Sequence, residues 1–256
     1  MIYISQILEE DKLEEIINKY DVGLEIISFS IYYVLDDVDE YIKKYKHEFL
    51  KYKNSSGFTF HGPFLDMAPA TFDTRIRELV LERFNNCYKA SQEFNVSKIV
   101  YHSGYTPNTY IDKYWLENII NFWREFLKDK NEKTTFYIEN VLDKSPYLLK
   151  EIIDNVGCDN LKICLDIGHV NAYSNIDIYE WIEVLQDRIG HVHIHNNNKI
   201  KDEHKGINNG TLDVINIIKN IKKYSKEVEF TLEVSDYNQL CESIEILKKY
   251  IDGDDK

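Results

Sequence analysis

Short β-rich apolar runs alternate along the chain with longer stretches in which apolar residues recur three and four positions apart among charged ones. The runs are Ile2–Ser5, Gly23–Ser28, Phe58–His61, Lys98–His102, Thr135–Glu139, Lys162–Asp166, Ile189–His195 and Phe230–Glu233. Between them, residues 73–94, 109–130, 145–156 and 211–224 have helical period, as Ile76, Leu79, Val80 and Phe84 show. Asp73 before Thr74, the Ser145-Pro146 pair with Pro at the first helical position, and Gly157 after Val156 mark helix ends. Strand–helix alternation predicts a parallel sheet covered by helices. Eight such repeats in 256 residues predict an α/β fold of one kind, a single (β/α)8 TIM barrel with outer helices. A doubly wound open sheet is the alternative, but Ser5-Gln6-Ile7-Leu8 after the first run lacks the phosphate-binding glycines of that fold. No linker or composition shift marks a second domain, so the barrel is expected over 1–251, with a frayed tail at 252–256.

A parallel barrel builds its active site at the C-terminal ends of its strands. His61, His102, Glu139 and Asp166 end four successive runs, and His169 follows three residues later. His191, His193 and His195 alternate along the seventh run, Asp202-Glu203-His204 lies in the loop after it, and Glu233 ends the eighth. Any one of these has an ordinary structural explanation as a hydrogen-bonded histidine or a helix-capping carboxylate. Together they gather metal-ligand types at one rim, where buried carboxylates are costly unless paired or metal-bound. His, Asp and Glu without Cys suit Zn2+ or Mn2+. His191, one layer deeper than His193 on the same face, is expected as a core histidine. Trp115, Trp123 and Trp181 fall in helical stretches and are expected to pack there.

The segments His61-Gly62-Pro63-Phe64-Leu65, His102-Ser103-Gly104, Ile138-Glu139-Asn140, Cys164-Leu165-Asp166-Ile167-Gly168-His169, His191-Val192-His193-Ile194-His195-Asn196 and Asp202-Glu203-His204 resemble the xylose-isomerase-like TIM-barrel superfamily. That superfamily includes sugar-phosphate isomerases and epimerases as well as endonuclease IV, the family-2 apurinic/apyrimidinic endonuclease. The resemblance implies that His61, His102, Glu139, Asp166, His169, His193, Asp202, His204 and Glu233 match positions holding up to three zinc ions in endonuclease IV. In the sugar enzymes a smaller set, Glu139, Asp166, His193 and Glu233, would surround one metal. Two segments depart from the usual pattern: Asn196-Asn197-Asn198 stands where an Asp commonly appears, and Asn208-Asn209-Gly210 replaces a Gly-x-Gly. His195 is extra relative to the endonuclease motif, and Gly23-Leu24-Glu25 resembles the sugar-enzyme branch more than the nuclease. Phe64, His195 and Lys205 are the candidate substrate contacts.

Two chemistries fit that rim. A multinuclear Zn2+ or Mn2+ centre would hydrolyse a phosphate ester or phosphodiester, and the complete ligand set places this reading first. In the alternative, one metal polarises a sugar carbonyl while Glu139 and Glu233 remove and return the proton on the adjacent carbon. Charge narrows the partners: 44 acidic against 31 basic residues give a net charge of -13, which speaks against a broad nucleic-acid footprint. Phe64-Leu65 matches the endonuclease's wedge position but gives weak support for DNA, and Lys199, Lys201 and Lys205 are too few for a DNA surface. A small phosphorylated or sugar substrate is the expected partner. Four cysteines without a CxxC pair, no secretory leader pattern and no membrane-length apolar run give the expectation of a cytoplasmic protein with reduced thiols and no membrane role.

Overall fold

The computed structural model describes residues 1–253. Eight strands, β1 (Ile2–Ser5), β2 (Gly23–Ile26), β3 (Phe58–His61), β4 (Lys98–His102), β5 (Thr135–Glu139), β6 (Leu161–Asp166), β7 (Ile189–Ile194) and β8 (Glu229–Leu232), form a closed parallel barrel in chain order, with β8 pairing back onto β1. Among the described residues ten α-helices surround it: α1 (Glu10–Lys19), α2 (Tyr32–Asp36), α3 (Val38–Glu48), α4 (Thr74–Glu93), α5 (Asp112–Leu127), α6 (Tyr147–Val156), α7 (Ile167–Tyr173), α8 (Ile178–Leu185), α9 (Val214–Lys222) and α10 (Tyr237–Gly253). The expected (β/α)8 barrel is therefore present. Among the described residues no helix is long and apolar enough to cross a membrane.

Local chemistry explains the helix ends. The Asp73 carboxylate accepts from the Arg75 and Ile76 backbone N–H groups and starts α4. Gly157 closes α6 in the left-handed conformation at φ 67°, which glycine adopts without a Cβ penalty. The first residue of α6 is Tyr147, so Pro146 stands just before the helix rather than in it, and its carbonyl accepts from Lys150 N.

Alternation along the strands sorts the core into two parts. Ile99, Tyr101, Phe136, Ile138, Ile163 and Leu165 face the helices, and Trp115, Trp123 and Trp181 are buried in the same layer, as expected. The opposite face points into the barrel, where Val100, Tyr137 and Cys164 form a small separate apolar cluster. Two residues further along those strands stand His102, Glu139 and Asp166, so the same alternation that builds the inner cluster aims the polar side chains into the mouth. Register then makes them neighbours: His102 pairs with Glu139, Asp166 with His193, and His193 with Thr231.

Several boundaries shift from expectation. The second strand ends at Ile26, because Gln6 Oε1 accepts from Ile27 N, Ser28 N and Ser28 Oγ and draws 28–30 into a short 3-10 turn. The seventh ends at Ile194 and the eighth at Leu232, leaving His195 and Glu233 one residue beyond their strands. The last helix continues to Gly253, two residues past the expected boundary, and 254–256 of the expected frayed tail lie outside the described residues.

Candidate metal centre

Seven histidines and five carboxylates converge at the C-terminal mouth and the adjoining barrel interior, and their ring nitrogens are not randomly turned. His61 Nδ1 lies 2.9 Å from the Gly62 carbonyl, His169 Nδ1 2.9 Å from the Asn140 carbonyl and His204 Nδ1 2.9 Å from the Glu233 carbonyl. A carbonyl only accepts, so each Nδ1 must carry hydrogen and donate. The remaining Nε2 atoms then point at carboxylates: His61 at Glu139 Oε2 (3.2 Å), His169 at Asp202 Oδ2 (3.3 Å) and His204 at Asp202 Oδ2 (3.0 Å). Backbone-anchored rings presenting the other nitrogen beside a carboxylate are the usual arrangement of histidine ligands.

His193 is oriented differently. Its Nε2 faces Glu25 Oε1 at 3.2 Å, while Nδ1 lies 3.2 Å from Glu139 Oε1 and 3.4 Å from Glu233 Oε1. The two carboxylates thus reach one imidazole nitrogen from the ends of β5 and β8. Glu25 is itself fixed by the Thr231 hydroxyl, which donates to its Oε2 at 3.0 Å. His191 Nε2 lies 2.7 Å from the same hydroxyl, fully buried as expected for a core histidine, and burial lowers its pKa to about 3. Glu25, which the sequence marks only by its resemblance to the sugar-enzyme branch, is the main site residue to which sequence reasoning assigns no role. Its position on the barrel interior follows from alternation along β2, but its partner on β7 becomes apparent only in the closed barrel.

Electrostatics follow from this crowding. Burial favours neutral Glu139, but His193 and His102 outweigh it and hold the carboxyl well below its usual range. Glu233 goes the other way: burial raises its pKa, His193 opposes, and Glu139 and Glu25 add to the rise. Burial pulls His169 down, yet Asp166, Asp202 and Glu139 carry it up to about 10, and His204 rises to about 9 through Asp202 and Glu233 against the same burial. His102 stays neutral, burial taking it down to about 3.

The donor atoms form adjacent groups in which each member lies within 4.8 Å of the others: His61, His102 and Glu139; Glu139, Asp166 and His193; Asp166, His195 and Glu233; and His169, His195, Asp202 and His204. All nine expected ligands are therefore brought together. Whether the set fits a cation is answered by its unpartnered atoms. His193 Nδ1, Asp166 Oδ2, Asp202 Oδ1 and both nitrogens of His195 are buried without a hydrogen bond, a costly state that a bound cation relieves. The donors, imidazole and carboxylate with no thiolate, suit Zn2+ or Mn2+.

The expected substrate contacts fare unevenly. The Phe64 ring packs on His102 with centroids 4.9 Å apart and helps line a cavity of about 290 Å3 with Met67, Tyr105, Tyr110 and Leu142. Lys205 does not reach the cluster: it forms an antiparallel bridge with Asn196, and its ammonium is taken by Glu203 at 2.9 Å. His195 is not at an open rim but fully buried, because α7 starts immediately after Asp166 and lays Gly168 across the His195 ring.

The asparagines after β7 have a physical reason. Asn196 Nδ2 donates to the Ile207 and Leu212 carbonyls while its Oδ1 accepts from Asn197 N and Leu212 N. Asn197 likewise donates to the Gly168 carbonyl and accepts from Asn171 Nδ2 and Lys199 N. An aspartate at either position would set a carboxylate against a carbonyl, so only the amide can pin this loop.

Glu25→Gln keeps the shape of the side chain but removes the charge that holds His193 in its Nδ1-facing tautomer. Zinc affinity, read by competition with a chelating dye, is expected to fall by about 10–100-fold while the circular dichroism stays unchanged. Unaltered affinity would show that Glu25 does not orient the ligand.

Comparison with known proteins agrees with this architecture. The model of the xylose isomerase-like TIM barrel family matches residues 11–250. The uncharacterized protein MJ1311 of Methanocaldococcus jannaschii is 30% identical over 205 residues, 75% of this chain and 69% of its own. A crystal structure described as a D-tagatose 3-epimerase-like protein superposes with a TM-score of 0.81 at 26% identity, covering 98% of this chain and 97% of that one. The TTHB071 protein from Thermus thermophilus, soaked with ZnCl2, shares the fold at a TM-score of 0.72 and 17% identity, each chain covered to 97%.

Proposed function

The chain belongs to the xylose isomerase-like TIM barrel family, and from that premise we propose that it is a divalent-metal-dependent isomerase or epimerase of a small sugar or sugar phosphate. The observation that carries this reading is the convergence of Glu139 and Glu233 on His193 Nδ1, at 3.2 and 3.4 Å, with Asp166 alongside. A Zn2+ or Mn2+ ion held by Glu139, Asp166, His193 and Glu233 would polarise a substrate carbonyl and its neighbouring hydroxyl.

The chain's own groups supply the proton transfers. Glu139, kept ionised by its histidines, suits removal of the proton on the carbon next to the carbonyl. Glu233, whose Oε1 lies 3.4 Å from the same His193 nitrogen, is the second carboxylate within reach and would return a proton to that carbon. Phe64, Met67 and Leu142 offer an apolar wall to the cavity beside His102. The relative described as D-tagatose 3-epimerase-like supports a ketose as the substrate to try first.

Hydrolysis of a phosphate ester, the reading placed first from sequence, is retained second because the donor groups are contiguous and can seat more than one ion. The experiment that separates the two is incubation of zinc-loaded and manganese-loaded protein with a panel of free and phosphorylated ketoses, abasic DNA and aryl phosphates. Formation of a sugar epimer or aldose isomer is the expected result. Phosphate release or strand cleavage without any change in the sugars would replace this reading by the hydrolytic one.

A further inference from the structure

One layer below the metal centre the barrel interior holds a chain of polar side chains that the proton transfers leave unused. His191 Nε2 lies 2.7 Å from the Thr231 hydroxyl, and that hydroxyl donates to Glu25 Oε2 at 3.0 Å. Glu25 in turn meets His193 Nε2, 3.4 Å from the same oxygen and 3.2 Å from Oε1. All four side chains are fully buried, and they come from three strands, β2, β7 and β8. Proton counting fixes the direction of each link. Glu25, kept ionised by its histidines, can only accept, so the single hydroxyl hydrogen of Thr231 is spent on it. The hydroxyl oxygen must then accept from His191, which burial keeps neutral, so that ring carries its hydrogen on Nε2 and leaves Nδ1 bare. His193 Nε2 likewise donates to Glu25, and its Nδ1 is the nitrogen turned toward Glu139 and Glu233.

We propose that His191 and Thr231 are positioning residues for His193: acting through Glu25, they hold its ring with Nδ1 presented to the metal. As core filler His191 is a poor choice, because its Nδ1 is buried without a partner. An apolar ring packed against Tyr3 and Tyr137 would escape that cost. What the imidazole adds is the Nε2 hydrogen, which occupies a lone pair of the Thr231 hydroxyl and turns the hydroxyl hydrogen toward Glu25. With Nε2 bare, the hydroxyl would donate to His191 instead, and Glu25 would lose the donor that fixes it opposite His193. The two rings of β7 also stand edge to face, centroids 5.5 Å apart at 85°, so the lower one packs directly under the upper. The inference rests on the metal-binding part of the proposed function and not on its sugar chemistry.

The test uses the full chain with nitrogen-15-labelled histidine, loaded with zinc. Long-range proton–nitrogen NMR of the wild type is expected to show His191 and His193 both as Nε2–H tautomers. Zinc affinity, read by competition with a chelating dye, is expected to fall by about 10–100-fold in Thr231→Val and His191→Leu. It is expected to stay near wild type in Thr231→Ser, which keeps the hydroxyl, and in His191→Gln, which keeps an N–H donor. A wild-type His191 with its hydrogen on Nδ1 overturns the proposal, even if no variant folds. A folded Thr231→Val that melts at a lower temperature but binds zinc as tightly as wild type overturns it equally, because the chain then serves packing alone. Tautomers and affinities as stated, without turnover of any sugar, would uphold the proposal and remove only the epimerase reading.

Discussion

Glu139→Gln is expected to abolish sugar turnover, lowering kcat by about 10²–10⁴-fold at unchanged fold. The substitution preserves volume at a buried position, so a packing defect is not introduced. It removes the one carboxylate shared by the His61/His102 group and the Asp166/His193 group, and with it the proposed base. His61 Nε2 and His193 Nδ1, now 3.2 Å from a carboxylate oxygen, would each face a neutral amide instead. Metal content and product formation measured on the same preparation check the expectation. Glu233→Gln should also slow turnover but retain more metal, because Glu233 enters only the group with Asp166 and His195, whereas Glu139 is shared by two. Equal activity in Glu139→Gln and wild type would remove Glu139 from the chemistry.

Removing metal with a chelator is expected to leave a folded protein whose stability depends on pH in a direction the site dictates. His169 and His204 titrate near 10 and 9 against an ordinary 6.5, raised by the carboxylates despite burial. A raised histidine stabilises the fold fully below its unfolded pKa, and that contribution is lost progressively as pH climbs from about 6.5 through 9 and 10. Glu25, held at about 2 by His193 against burial, works in the other direction: its contribution is present above the ordinary 4.5 and is lost as pH falls toward 2. Chelated protein should therefore melt lower at pH 10 than at pH 6. Zinc must displace the histidine protons, so its affinity should rise with pH by roughly tenfold per unit for each proton displaced. Calorimetric titration in buffers of differing ionisation enthalpy counts those protons, and a pH-independent affinity between 7 and 9 would contradict the assignment of His169 and His204 as ligands.

The strands and the long helices can be read from the chain because their signals are local. Asp73 caps α4 through its own side chain, and Gly157 ends α6 through its own φ. The ligand types are also readable, since alternation along β4, β5 and β6 fixes which residue at each strand end points inward. What stays hidden depends on contacts across the barrel. Glu25 and His193 are 168 positions apart and meet only when β2 and β7 face each other inside the closed sheet. His195 reads as a rim residue because alternation gives direction and not depth; its burial comes from Gly168 on α7. Lys205 reads as a substrate contact because sequence shows that a cation is near the mouth but not that Glu203 takes it.

Proton transfer at a carbon next to a sugar carbonyl, between Glu139 and Glu233, is the step proposed for this site. Its most direct test is incubation of metal-loaded protein with ketoses in deuterated water, followed by mass spectrometry and proton NMR of the recovered sugar. Deuterium should enter a single carbon adjacent to the carbonyl in wild type and be lost in Glu139→Gln. No deuterium in any ketose of a broad panel, from protein with its metal sites filled, would contradict it.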